Sequence, residues 1–151
     1  LVCPNVPNAT VACVNGTCVI AGCSPGFANC DGNFANGCEV NLNNSNQHCG
    51  GCGVACQNVP NATVFCSNGI CQIGACNAGF ANCNGQFADG CEVNLNTSVA
   101  NCGACGVVCT PGPRVTSVAC VNGACKITGC QTGWVDANGI FADGCEFFNN
   151  P

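Results

Sequence analysis

The chain of 151 residues carries seven acidic and two basic side chains, for a net charge of −5. With Arg114 and Lys126 as its only cations, it cannot neutralise a phosphate backbone or hold an anionic lipid surface, so nucleic acid and membrane-surface binding are excluded as functions. Twenty-one cysteines make a disulfide scaffold of an exported protein the default reading.

The sequence shows neither a run of about 20 apolar residues that would cross a bilayer nor a basic, then apolar, then small-residue leader. It opens at Leu1 and contains no Met, which reads as a mature product or an excerpt of a longer exported protein. So low a charge leaves little to hold copies of the molecule apart, and self-association is expected.

The cysteines recur with a period of 53 residues, and such internal repetition has to be recognised before any fold is named. Cys3, Cys13, Cys18, Cys23, Cys30, Cys38, Cys49 and Cys52 are reproduced, interval for interval, by Cys56, Cys66, Cys71, Cys76, Cys83, Cys91, Cys102 and Cys105. Residues 3-55 and 56-108 agree at 35 of 53 positions without a gap. The third repeat, residues 109-151, keeps Cys109, Cys120, Cys125, Cys130 and Cys145. It has one extra residue before Cys120, carries Ala137 at the fifth cysteine position and lacks the last two.

In chain order, each repeat opens with two short β-prone runs around an Asn-Gly pair. Thr10–Val14 and Thr17–Ile20 flank Asn15-Gly16, a pair that tolerates the positive φ of a two-residue hairpin turn. In that register Cys13 faces Cys18 across the strands. The two either bond each other directly or point together at other partners. A Cys-x2-Gly-Phe-Ala-Asn-Cys stretch follows, then a turn-rich segment with further Asn/Asp-Gly pairs that ends in Gly37-Cys38-Glu39-Val40-Asn41-Leu42. Phe27, Phe80 and Trp134, then Phe34, Phe87 and Phe141, then Ile20, Ile73 and Ile127 occupy equivalent positions and are the expected small core of each repeat. No segment shows a helical period, and glycine recurs too often to permit one.

An odd cysteine total leaves at least one sulfur without a partner in the chain. The third repeat lacks the fifth, seventh and eighth cysteines together, so the fifth is expected to bond one of the last two: Cys30 with Cys49 or Cys52, and Cys83 with Cys102 or Cys105. If the other late cysteine reaches forward to Cys56 or Cys109, then the second, third, fourth and sixth cysteines of each repeat close two bridges among themselves: Cys13, Cys18, Cys23 and Cys38 in the first, Cys66, Cys71, Cys76 and Cys91 in the second, and Cys120, Cys125, Cys130 and Cys145 in the third. Cys3 is then left over, unpaired or available to another chain. If the first cysteine instead bonds within its repeat, the unpaired sulfur falls in the third.

Cys49-Gly-Gly-Cys52 and Cys102-Gly-Ala-Cys105 have the gap of metal-thiolate and thiol-oxidoreductase motifs. In a chain this rich in cysteine, with no thioredoxin-like pattern around them, they read as structural disulfides, and no metal is assigned to them. The turn from Asp31 through Asn33 to Glu39, and in the third repeat Asp136, Asn138 and Glu146, set oxygen ligands at intervals that loosely suit calcium. Glu39, Glu92 and Glu146 equally suit side chains that close a turn onto backbone N–H groups. Beyond that weak calcium candidate no cofactor is expected. His48, the only histidine, reads as a surface residue, and with no general base in place the chain reads as a non-enzyme. Asn8, Asn15, Asn43, Asn61 and Asn96 head glycosylation sequons.

The phrases Asn-Gly-Thr-Cys-Val-Ile, Gly-Phe-Ala-Asn-Cys-Asp-Gly-Asn and Gly-Cys-Glu-Val-Asn-Leu-Asn-Thr, with Asn-Cys-Gly-Ala-Cys-Gly-Val-Val-Cys, resemble the cysteine-rich tandem repeats of large exported proteins of myxobacteria and related deltaproteobacteria. The resemblance implies an extracellular or cell-surface location and a structural or adhesive role. Ala137 and the absence of the last two cysteines from the third repeat depart from the pattern.

The expected protein is small, disulfide-rich and mainly β, built of short hairpins and turns in three tandem repeats of about 53 residues. Its expected role is a structural subunit of an extracellular fibre or surface appendage that partners with itself. The alternative is a secreted adhesive or binding module, dependent on a glycan or calcium. Counting sulfurs favours a symmetric pair for any crosslink between chains.

Overall fold

A computed structural model describes residues 2–149. Its regular structure is almost wholly β, in six two-stranded ladders. The largest are antiparallel hairpins: β1 (Ala9–Val14) with β2 (Thr17–Cys23), β5 (Ala62–Ser67) with β6 (Ile70–Cys76), and β9 (Val115–Val121) with β10 (Ala124–Cys130). Each hairpin is followed in the chain by a two-residue ladder: β3 (Phe27–Ala28) with β4 (Val40–Asn41), β7 (Phe80–Ala81) with β8 (Val93–Asn94), and β11 (Trp134–Val135) with β12 (Phe147–Phe148). Short 3-10 turns at Phe34–Asn36 and Phe141–Asp143 complete the regular structure.

The hairpin turns form as their sequence dictates. Asn15 and Gly16 sit at φ 50° and 76°, Asn68 and Gly69 at 51° and 75°, and Asn122 and Gly123 at 52° and 75°, the two positive values that match a tight turn to the twist of its strands. The later Asn/Asp-Gly pairs act differently. Gly37, Gly90 and Gly144 are also left-handed, but they let the chain approach Pro7, Pro60 and Pro113, whose carbonyls accept from the N–H of Cys38, Cys91 and Cys145 at 2.9, 2.9 and 3.0 Å. A side chain at these glycines would run into the proline backbone.

Ten disulfides hold the chain, the mark of a protein made for an oxidising, extracellular environment. Among the described residues no helix is long and apolar enough to cross a membrane.

The described residues fall into two compact units. One runs up to Asn58 and includes Thr63–Ala75; the other holds Val59–Ala62 and continues from Cys76. All ten bridges close within a unit, five in each.

The interior differs from the aromatic core expected from the sequence. The buried apolar residues are all cysteines: Cys38, Cys49, Cys66, Cys91, Cys102, Cys109, Cys120 and Cys145. Phe27, Phe34, Phe80, Phe87, Trp134 and Phe141 are only half-buried, as are Ile20, Ile73 and Ile127. Two-stranded ladders are too narrow to enclose a large side chain on all sides. A disulfide draws two backbones to within about 6 Å, so among the described residues cysteines are the only apolar side chains that become buried.

Candidate functional site: the loop-on-hairpin junctions

The bridges follow one rule. The first cysteine of each repeat bonds the third (Cys3–Cys18, Cys56–Cys71, Cys109–Cys125), and the fourth bonds the sixth (Cys23–Cys38, Cys76–Cys91, Cys130–Cys145). The fifth bonds the eighth, as Cys30–Cys52 and Cys83–Cys105, each pair one of the two left open from spacing. The seventh reaches forward out of its repeat, but to the second cysteine of the next rather than the first: Cys49–Cys66 and Cys102–Cys120.

Several expectations are corrected by this pairing. Cys66 and Cys120 bond outside their own repeats, to the loop cysteines Cys49 and Cys102. Cys3 is not left over, because it bonds Cys18. Cys13 forms no bridge; it is the free cysteine, and it is exposed. Cys13 and Cys18 are cross-strand partners in β1–β2, yet no direct bond joins them, because Cys3 already occupies Cys18. Cys120 and Cys125 face each other in β9–β10 in the same way, and both bond elsewhere.

Each forward bridge seats a loop of one repeat on the hairpin of the next. In the first unit, Gly69 N–H donates to Asn43 O at 3.4 Å. Cys66 N–H donates to Asn46 Oδ1 at 2.7 Å. Cys66 Sγ lies 3.5 Å from Leu42 O, a contact rather than a hydrogen bond because a disulfide sulfur carries no proton. The loop glycine packs onto the turn so closely that a Cβ at Gly50 would stand 2.6 Å from Gly69 O. The second unit repeats this geometry apart from the side-chain bond, since Val99 stands at the place of Asn46. Gly123 N–H donates to Asn96 O at 3.5 Å, Cys120 Sγ lies 3.4 Å from Leu95 O, and a Cβ at Gly103 would stand 2.6 Å from Gly123 O.

At each junction two bridges lie side by side. The sulfurs of Cys49, Cys56 and Cys71 fall within 4.8 Å of one another, as do those of Cys102, Cys109 and Cys125. The spacing would suit a metal, but every one of these sulfurs is oxidised into a bridge and offers no thiolate charge to a cation.

The acidic turns satisfy most of their oxygens internally, but Asn36 Oδ1, Asp89 Oδ1 and Glu146 Oε2 are buried without a hydrogen-bond partner. Glu39 Oε1 accepts from Cys30 N–H at 2.9 Å, Glu92 Oε1 from Cys83 N–H at 3.0 Å, and Glu146 Oε1 from Ala137 and Asn138 N–H at 3.0 and 3.2 Å. Asp31 Oδ1 accepts from Asn33 N–H at 2.8 Å, and Asn33 Oδ1 from Ala35 N–H at 3.0 Å. Asp136 Oδ1 accepts from Gly139 N–H at 2.7 Å, and Asn138 Oδ1 from Ile140 N–H at 2.8 Å. One oxygen of each side chain aligned in sequence for calcium is thus bonded to its own turn. The backbone N–H of Asn33, and after it the Asn36 amide, hold the Asp31 carboxyl below its ordinary pKa.

The structure also explains why the acid at Asp31 becomes Asn84 in the next repeat. One amide and one carboxylate bond across each turn, but their order changes: Asn36 Nδ2 donates to Asp31 Oδ2 at 2.8 Å, Asn84 Nδ2 to Asp89 Oδ2 at 2.7 Å, and Asn138 Nδ2 to Asp143 Oδ2 at 2.8 Å. Position-by-position reading missed this exchange; the compensating Asn36/Asp89 difference was its signal.

His48 caps its loop: its Nδ1 accepts from Gly53 N–H at 2.9 Å, as Asn101 Oδ1 accepts from Gly106 N–H at 2.7 Å. The third repeat has its own feature, Arg114 stacked 3.8 Å over the Trp134 ring, with Trp134 in turn 5.1 Å from Phe148. Open clefts beside β2, near Ile20 and Phe34, and beside β10, near Ile127 and Trp134, are lined by few polar side chains.

No protein-family model, curated protein or solved structure matches the chain.

Proposed function

We propose that the chain is a non-enzymatic structural subunit of an extracellular, disulfide-stabilised fibre or surface appendage. The observation that carries this reading is where its apolar side chains lie. Sulfur fills the interior, and large apolar residues are left outside: Ile70 is 64% exposed, Phe147 54%, Phe148 52% and Phe65 41%. At about 25 cal/mol per Å² of apolar surface removed from water, contact between chains gains what folding left unused. With nine charged side chains of Asp, Glu, Lys and Arg in 151 residues, little electrostatic repulsion opposes that contact.

The rival reading, an adhesive module for glycan or calcium, rests on the same exposed aromatics and on the acidic turns. Electron microscopy and light scattering of the purified, oxidised chain separate the two. The subunit reading expects long regular filaments. Monodisperse monomers whose melting temperature rises with a saccharide or with calcium would replace it with the adhesive one.

A further inference from the structure

The first hairpin is built like the other two but bears no loop. Gly69 and Gly123, at the turns of β5–β6 and β9–β10, are half-buried and lie against Gly50 and Gly103; Gly16, at the turn of β1–β2, is exposed, and a Cβ there would meet nothing within 4 Å. Cys66 and Cys120 are 5% and 6% exposed, each bonded to the loop seated over it. Cys13, their equivalent, is exposed and free. The bridge that would lie beside a partner of Cys13, Cys3–Cys18, is already formed, as Cys56–Cys71 and Cys109–Cys125 are beside the complete junctions.

We propose that β1–β2 is an acceptor face for the Cys-Gly-x-Cys-Gly-Val loop of a further repeat of this kind, whose first loop cysteine bonds Cys13. The inference goes beyond the subunit reading, since its partner is not a second fully bridged copy of this chain, and it stands on the two occupied hairpins rather than on self-association. It does not rest on a reactive thiol alone: the same hairpin face, with the same turn and the same cysteine, is occupied by such a loop in both other instances. The described chain cannot supply the loop itself, since Cys49 and Cys102 are both bonded. The partner is therefore a repeat with an unpaired cysteine at the place of Cys49, and the joint is head-to-tail, not the symmetric pair that counting favoured. Closing it takes two electrons and two protons from the two thiols to a small-molecule disulfide, which leaves as two thiols.

The test uses the oxidised chain and a peptide of residues 42–55 with Cys52→Ser, its remaining cysteine activated as a mixed disulfide with thiopyridine. Cys13 thiolate attacks the peptide sulfur, the peptide–pyridyl S–S bond breaks, and thiopyridone leaves with the proton. Two further peptides serve as controls: one of the same composition in scrambled order, and one with Gly50→Val, whose side chain would strike the turn carbonyl. The parent peptide is expected to capture Cys13 about tenfold faster than either control, in separate reactions followed by intact mass. Capture should also bring slowed exchange of the Gly16 amide. Equal rates of capture for all three, or a Cys13–Cys13 dimer formed in preference to the parent adduct, overturns the proposal. Filament imaging of the untreated chain reports on the subunit reading separately, since no peptide is present there.

Discussion

The junctions can be probed with two alanines placed three residues apart. Gly50 and Gly53 lie in one loop and share a φ of +76°, so an L side chain costs about 1–2 kcal/mol of left-handed strain at either. Their surroundings differ. A Cβ at Gly53 meets nothing within 4 Å, whereas one at Gly50 lies 2.6 Å from Gly69 O and 3.5 Å from Gly69 C. Those neighbours are backbone held by the β5–β6 turn, so they yield only if the loop lifts, and overpacking of this kind adds about 1–3 kcal/mol. Gly50→Ala therefore destabilises the junction by that increment over Gly53→Ala, and the common strain cancels. The readout is the reduction potential of Cys49–Cys66, from mass mapping of alkylated peptides in a graded thiol–disulfide buffer. At about 30 mV per 1.4 kcal/mol, the bridge in Gly50→Ala becomes easier to reduce by roughly 20–65 mV relative to Gly53→Ala. Gly103→Ala and Gly106→Ala form a second matched pair, at φ +80° and +77°, with only Gly103 in close approach. Equal shifts within either pair would show that the loop is not seated against the hairpin turn as described.

Asp31 should titrate below the ordinary aspartate value of 3.8, and Asn36→Ala should move it back part of the way, checked by carboxyl NMR. Because its folded pKa is depressed, its contribution to the turn is present above that ordinary value and is lost as pH falls through the folded one. Asn36→Asp, which would set two carboxylates against each other, should raise the pair's apparent pKa, and Asp31→Asn combined with Asn36→Asp should restore the turn in the order seen at Asn84 and Asp89. Arg114 holds φ +61° while stacked on Trp134; Arg114→Ala keeps the strain and loses the stacking, about 0.5–1 kcal/mol. Arg114→Gly also releases about 1 kcal/mol or more of strain, so it should melt no lower than the parent, with Trp134 fluorescence as the monitor. Full reduction should abolish near-ultraviolet circular dichroism, because the buried apolar set is entirely cysteine; a native-like spectrum in the reduced chain would refute a sulfur-held interior.

The hairpins were legible because their signal is local. Asn15-Gly16 and its equivalents fix two backbone angles, and the β-branched runs beside them fix the strands. The Cys30 and Cys83 partners were narrowed to two each by what the third repeat lacks. The forward bridge was legible only in part, since its target is a matter of which hairpin face the loop rests on, and spacing carries no such direction. The exchange of Asp31 and Asn36 for Asn84 and Asp89 escaped a reading that weighed one position at a time, because the preserved quantity is a hydrogen-bonded pair. The expected aromatic core rested on residue type, whereas burial depends on whether neighbours surround a side chain.

By itself, then, the order of residues determined an oxidised, low-charge, turn-and-hairpin chain that recurs every 53 residues, because cysteine content, charge and turn chemistry act over a few neighbours at most. Only the folded arrangement decided that sulfur rather than phenylalanine fills the interior, and that the odd thiol is Cys13 rather than Cys3. Both follow from how backbones approach in space: a bridge can form only where two Cα atoms come within about 6 Å with their side chains aimed at each other, a geometry that folding sets.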